Sequence, residues 1–216
     1  HEWGHQLFNL ADLYEGEHDI KEWGLMGSSW GQCNQYAGNA AGGCPSHMTG
    51  YSKLRSGFYE AQIVEIAQAP LTVDLYDQLA SNFNIIKIPV ENSADYFILE
   101  NRQFNSYDSS LKIYNSISNG GVLLSYKPAS ADFRILRTDR TSADYSQHMF
   151  FKEHVDRIGP DTSPNTRLDN GTRTDLVITD VSSPSTTMSA TIGAYNYCEE
   201  VTATNSQHYT DGRAYR

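Results

Sequence analysis

Positive charge is in short supply in this chain. Lysine and arginine together number 16 against 26 acidic residues, a formal net charge of −10 over 216 residues. No basic stripe is available to neutralise phosphates, which argues against nucleic-acid binding. Long apolar runs are missing as well, so no segment is expected to span a bilayer. There is no internal repeat, no block of like charge, no signal peptide and no initiator methionine. A chain that opens on His1 is expected to be a fragment of a longer protein. Cysteine is sparse: Cys33, Cys44 and Cys198. Cys33 and Cys44 bracket CNQYAGNAAGGC, a stretch that holds nothing to build a core, and a disulfide between them is expected to staple it. Cys198 is then left without a partner in this chain, and one is expected beyond Arg216.

What the chain does hold is Gly, Asn, Ser, Thr and Tyr, with charged residues at only 19%. That mix suits a secreted, strand- and loop-rich protein better than a helical cytosolic one. Residues 1–10 read as a helix. A second helix is expected after SHMTG, with Met48, Tyr51, Leu54 and Phe58 on one face. From Ile63 the pattern turns to strands: LTVDLYD, NIIKIPVE, DYFILENRQ, GVLLSYKP, FRILRT, DLVITDVS and TMSATIGA. These are β-branched or aromatic runs bounded by turn residues. Pro70, Pro89, Pro128 and Pro184 fall at their edges, where a missing N–H is tolerated. So many short strands suggest an antiparallel sandwich, or a sheet extending a catalytic core.

The first five residues, HEWGH, carry the chemistry. On a helix His1 and His5 lie one turn apart on one face and can clamp a zinc ion, with Glu2 beside them as general base. Zinc needs a third protein ligand and an open position for water. Asp12 is the leading candidate, because NLADLY turns the chain back soon after the helix. Asn9 can supply that bend, since Asn tolerates the left-handed conformation. Glu15, Glu17 and His18 are nearby alternatives, and Glu22 is the choice if the third ligand is a more distant glutamate. Met26, flanked by Gly24 and Gly27 in EWGLMGSSWG, fits a methionine turn forming the packing floor beneath such a site.

The ordered series HEWGHQLFNLADLY, WGLMGSSW and CPSHMTGYSKLRSGF resembles the immune inhibitor A-like family of secreted zinc metallopeptidases. Farther on, DYFILENRQFNSYD is similar to that family's strand ending in Glu-Asn-Arg, with Glu100, Asn101, Arg102 and Asp108 matching. Lys53, Gly57 and Phe58 stand in its Lys-containing helix motif. The resemblance covers most of residues 1–193. It implies an α+β fold: the C-terminal part of a metzincin-like zinc-peptidase domain continuing into an antiparallel β-sandwich-like region. Residues 1–62 would then carry the active-site helix, Met-turn and following helix. Residues 63–193 would form a β-rich region completing or flanking the catalytic domain, and 194–216 a linker or the start of a further extracellular module. It also implies zinc held by His1, His5 and Asp12, Glu2 as the catalytic base, and protein or peptide substrates. An upstream part of the same protein or a neighbouring subunit is expected to complete the cleft, so the fragment alone is expected to be inactive. Two departures stand out. The family places the Asp one residue closer to the second His, with Gly where this chain has Phe8-Asn9. It also carries a Trp-His-x-Asp step after the strand matched by GGVLL, which SYKPASAD lacks.

Other residues invite weaker readings. His47 could serve the site as a proton donor, and Tyr14 could reach the metal, although packing roles are expected for both. His148 and His154 are expected to be structural or surface groups. Asn170-Gly-Thr172 is either a glycosylation sequon or a turn. The acidic stretches EGEHD and DTSPNTRLDN could hold structural calcium. The rival to an enzyme is a non-catalytic extracellular structural or adhesive module, even a filament subunit, built on a protease-derived scaffold.

Overall fold

The computed structural model of the chain describes residues 1–14, 20–28, 45–67, 69–114, 120–137 and 148–195. The expected Cys33–Cys44 disulfide, Cys198 and the segment from 196 onward lie outside them, as do Glu15, Glu17 and His18. The described residues form a mixed α+β fold, mostly strands in two sheets. Helix α1 spans Glu2–Phe8 and α2 spans Gly50–Arg55. The strands are β1 (Gln62–Ile63), β2 (Leu71–Tyr76), β3 (Ile86–Pro89), β4 (Tyr96–Arg102), β5 (Gly121–Lys127), β6 (Arg134–Ile135), β7 (Leu176–Thr179) and β8 (Thr187–Ala194). Short 3₁₀ segments run over Lys21–Trp23 and Ser106–Tyr114. No described helix is long and apolar enough to cross a membrane.

One sheet has the order β1-β3-β4-β5-β6 and the other β2-β8-β7. All seven strand-like runs of the sequence become strands; Pro70, Pro89 and Pro128 sit at or just beyond strand ends, and Pro184 lies in the loop between β7 and β8. The sheets are not wholly antiparallel, because β1 runs parallel to β3. Parallel neighbours need a crossover between them, and here the chain makes it by way of β2 in the other sheet. The second helix also stops earlier than its pattern suggests. Ser56 caps it and Gly57, at φ +76°, turns the chain away. Phe58 therefore lies outside the helix and stays 54% exposed, although its ring meets that of Phe8 edge-on at 4.8 Å.

Strand β4 explains how the two sheets and α2 are joined. Its residues Phe97 to Arg102 are all buried, so both faces are covered. Alternation puts Ile98, Glu100 and Arg102 on one face and Phe97, Leu99 and Asn101 on the other. Asn101 reaches the second sheet, donating from Nδ2 to the carbonyls of Leu75 and Ser185, each at 2.9 Å. On the opposite face Glu100 accepts the Gly50 N–H of α2 at 2.9 Å. A Cβ at Gly50 would press on Ile98 at 3.1 Å and Ile85 at 3.3 Å, so glycine there lets α2 settle close on the sheet.

Lys53 of α2 is drawn into the same interface. It is only 6% exposed, and its Nζ lies 4.3 Å from the Phe83 ring centroid. Burial pushes its ammonium down to about 8 from an ordinary 10.5, against the pull of Glu100. Between those two values the unfolded chain holds more protons than the folded one, so raising the pH favours the fold. Above pH 10 the trend opposes this, because burial raises Tyr96 and Tyr126 to about 12. Urea unfolding at pH 8 and at pH 9.5 is expected to show wild type gaining about 1.5 kcal/mol relative to Lys53→Met over that interval. Parallel curves for the two proteins would show that the lysine keeps its ordinary pKa.

Candidate metal centre

Helix α1 is short, and its one buried residue is Gly4. The reason lies beneath it. A Cβ at Gly4 would stand 2.5 Å from the Met26 sulfur, so only a hydrogen fits where helix and methionine meet. Met26 is itself 1% exposed. It sits in a turn that Gly27 makes possible, since a side chain there would collide with the Lys21 carbonyl oxygen at 2.2 Å. The Gly27 N–H donates to the Gly24 carbonyl at 2.8 Å, and the Leu13 N–H donates to the Met26 carbonyl at 2.7 Å. The methionine turn thus supports α1 from below and holds the chain just after Asp12.

Asn9 ends α1 in the left-handed conformation, with φ 49° and ψ 43°. Its N–H closes on the His5 carbonyl at 3.1 Å and that of Leu10 on Gly4 at 3.2 Å. Glycine is the residue that adopts this geometry at least cost, and asparagine is among the few others that tolerate it. The turn has two products. It brings the Leu10 carbonyl against His5 Nδ1 at 2.6 Å. It also returns Asp12 to the histidines despite the longer spacing, with Oδ1 3.0 Å from His1 Nε2 and 3.1 Å from His5 Nε2.

The tautomers follow from the outer partners. His1 Nδ1 lies 2.8 Å from the Leu25 carbonyl, and His5 Nδ1 faces that of Leu10. A carbonyl only accepts, so each Nδ1 carries the proton and each Nε2 presents a lone pair inward. The two Nε2 atoms are 3.2 Å apart. Two nitrogens and a carboxylate oxygen therefore converge with no donor among them. A proton added to one ring still leaves the other ring's lone pair facing the carboxylate oxygen. A divalent cation satisfies all three. Ligands about 2.1 Å from a tetrahedral zinc lie roughly 3.4 Å from one another, near the spacing seen here. Imidazole and carboxylate are zinc ligands, and backbone carbonyls on the far ring nitrogens are their usual outer support. The donor set fits that ion. The side chains of His1, His5 and Asp12 are 22, 30 and 38% exposed, so the cluster keeps an open side. Among the described residues this is the one group of three or more His, Cys, Asp or Glu side chains close enough to share an ion.

Glu2 is exposed on the first turn of α1. Glu22, in the 3₁₀ turn, is not a member of the cluster. The Tyr14 ring packs 5.8 Å from that of His1. His47 stands elsewhere: its N–H donates to Asp108 at 2.9 Å and its ring meets Tyr107 edge-on. Burial holds its imidazole down at about 4, so it is neutral at physiological pH. His148 is buried and accepts the Trp23 indole N–H at 3.1 Å, and His154 Nδ1 faces the Met149 carbonyl. Thr172 N–H donates to the Asn170 side chain across Gly171, at φ +81°, which makes that stretch a turn. In DTSPNTRLDN, Asp161 is paired with Arg167 and Arg173, and Asp169 with Arg134. The other stretch, EGEHD, lies outside the described residues.

A buried charge cluster lies beside the methionine turn. Arg102 donates from Nε to Asp108 Oδ2 at 2.7 Å and from Nη2 to Oδ1 at 2.8 Å. All of Glu100, Arg102 and Asp108 are fully buried. Burial works against both charges of the Arg102–Asp108 pair. Their mutual attraction overcomes it, so the arginine's pKa is raised and the aspartate's lowered. The sequence marks these residues only through the Glu-Asn-Arg resemblance, and nothing in their spacing tells that they meet the turn under α1.

Comparison with known proteins finds no match for the chain among protein families, curated proteins or solved structures.

Proposed function

We propose that the chain is part of a secreted zinc-dependent endopeptidase of the immune inhibitor A-like kind, with His1, His5 and Asp12 as zinc ligands. Its fold would be the C-terminal part of a metzincin-like catalytic domain, continued by a sandwich-like β region. The observation that carries this reading is the convergence of two imidazole lone pairs and one carboxylate oxygen within 3.0–3.2 Å. The ordered motifs around it, from HEWGH to the methionine turn, add weight. A zinc ion bound there supplies Lewis acidity, acidifying a water and polarising a peptide carbonyl.

The chain's own residues do the rest. The Leu10 and Leu25 carbonyls hold both rings in the tautomer that offers Nε2. Glu2, next to His1 and exposed to solvent, takes the proton from the attacking water and returns it to the leaving amine. Trp3 and Leu7 lie one turn apart on α1 and are 70% and 60% exposed. Two large apolar side chains side by side on the surface mark a place where another segment or a ligand packs. An upstream part of the same protein, or a neighbouring subunit, is proposed to cover them and complete the substrate site, which leaves this piece inactive by itself.

Metal analysis of the natural protein that carries this chain is expected to find about one zinc per molecule, and casein digestion is expected to stop on chelation and resume with zinc. A zinc-loaded protein that never cleaves casein would point to a structural or adhesive module on the same scaffold. A protein that takes up no zinc would end the proposal.

A further inference from the structure

The Arg102–Asp108 pair has no part in the chemistry just proposed, yet it touches the element that supports the metal cluster. Arg102 Nη1 donates to the Trp23 carbonyl at 3.2 Å, and the guanidinium carbon lies 5.8 Å from the centre of the Trp23 ring. Trp23 is fully buried and gripped from a second side by His148. Two residues on, the Leu25 carbonyl accepts from His1 Nδ1, and three residues on, Met26 packs under Gly4. A charged fork held bidentate by a carboxylate is a stiff anchor, because both partners have one orientation in which both bonds form. Arg102 is further held by Glu100, at 3.6 Å.

We infer that Arg102, locked by Asp108, is a positioning residue for the metal centre: through the Trp23 carbonyl it fixes the turn whose Leu25 carbonyl and Met26 side chain set the direction of His1 and the height of α1. The inference rests on the zinc reading above. It assigns a role to the Glu-Asn-Arg strand that neither the ligand set nor the general base requires. Outer-shell partners of metal ligands tune affinity by orienting those ligands, and Arg102 acts one bond further out, on the loop that presents the partner.

The test uses the natural protein that carries this chain. Arg102→Gln combined with Asp108→Asn removes the charged fork while keeping the buried charges balanced, with Lys53 and Glu100 left opposite each other. Val73→Ala, in β2 and away from the turn, serves as a control matched for lost stability. Zinc affinity is read by chelator competition, and ligand geometry by the visible absorption of the cobalt-substituted protein. The double variant is expected to lose roughly tenfold in zinc affinity and to change its cobalt spectrum, while Val73→Ala keeps both at wild-type values. Arg102→Lys, which keeps the charge without the fork, is expected between them. A folded double variant with wild-type affinity and spectrum overturns the inference. If the double variant does not fold, Arg102→Lys decides by the same two readings. A wild type that binds neither metal removes the zinc reading and this inference together, whereas metal binding that is indifferent to these substitutions removes this inference alone.

Discussion

Replacing Glu2 with alanine in the natural protein is expected to lower peptide hydrolysis by two to four orders of magnitude, the usual contribution of a positioned acid–base group, and to leave zinc content unchanged. The separation of the two readouts follows from the geometry. Glu2 is exposed on the first turn of α1, outside the group formed by His1, His5 and Asp12. Removing its carboxylate takes nothing from the ligand set and nothing from the helix floor. A chromogenic peptide assay beside metal analysis is enough. Activity equal to wild type would mean that another group moves the proton, and lost zinc would mean that Glu2 holds the metal.

The second large effect is expected at Asp12. Asp12→Ala removes one of three ligands, so zinc affinity is expected to fall by more than the 10- to 100-fold typical of outer-shell changes. Hydrolysis falls with it. The fold is expected to survive, because Asp12 is exposed and its carboxylate meets the two histidines rather than the core. Chelator competition measures the affinity and thermal unfolding of the metal-free protein checks the fold. Unchanged affinity would reassign the third ligand to Glu15, Glu17 or His18, the other candidates near the end of α1.

The grouping of His1, His5 and Asp12 was legible in the sequence because it is local. Two histidines at i and i+4, an asparagine able to turn left-handed and an aspartate three residues later are all within twelve residues, and the left-handed Asn9 closes the distance. The floor was legible for a similar reason: Met26 between two glycines is a turn with a large apolar side chain. Strands β2 to β8 announced themselves as β-branched runs between turn residues. Their division into two sheets did not, because β2 pairs with β8 and not with its neighbours in sequence, and no local pattern encodes a partner so far along the chain. The burial of Glu100, Arg102 and Lys53 was not legible. Charged residues in a strand or short helix normally face water, and only tertiary packing brings them inside, with Arg102 against Glu100 and Asp108. The Leu10 and Leu25 carbonyls were invisible too, since a backbone acceptor has no letter in the sequence.

Strand β8 occupies the middle of its sheet, with β2 on one side and β7 on the other. It is also the last described strand of the chain. As the polypeptide leaves the ribosome, β2 emerges early and waits through the whole of β3 to β7 before anything can pair with it in this sheet. The β7–β8 hairpin can form as soon as its own residues are out, so β2 docks onto an edge that is made late. Closing so long a loop is slow compared with forming local contacts. The second sheet is therefore expected to be the part of the fold that is completed last.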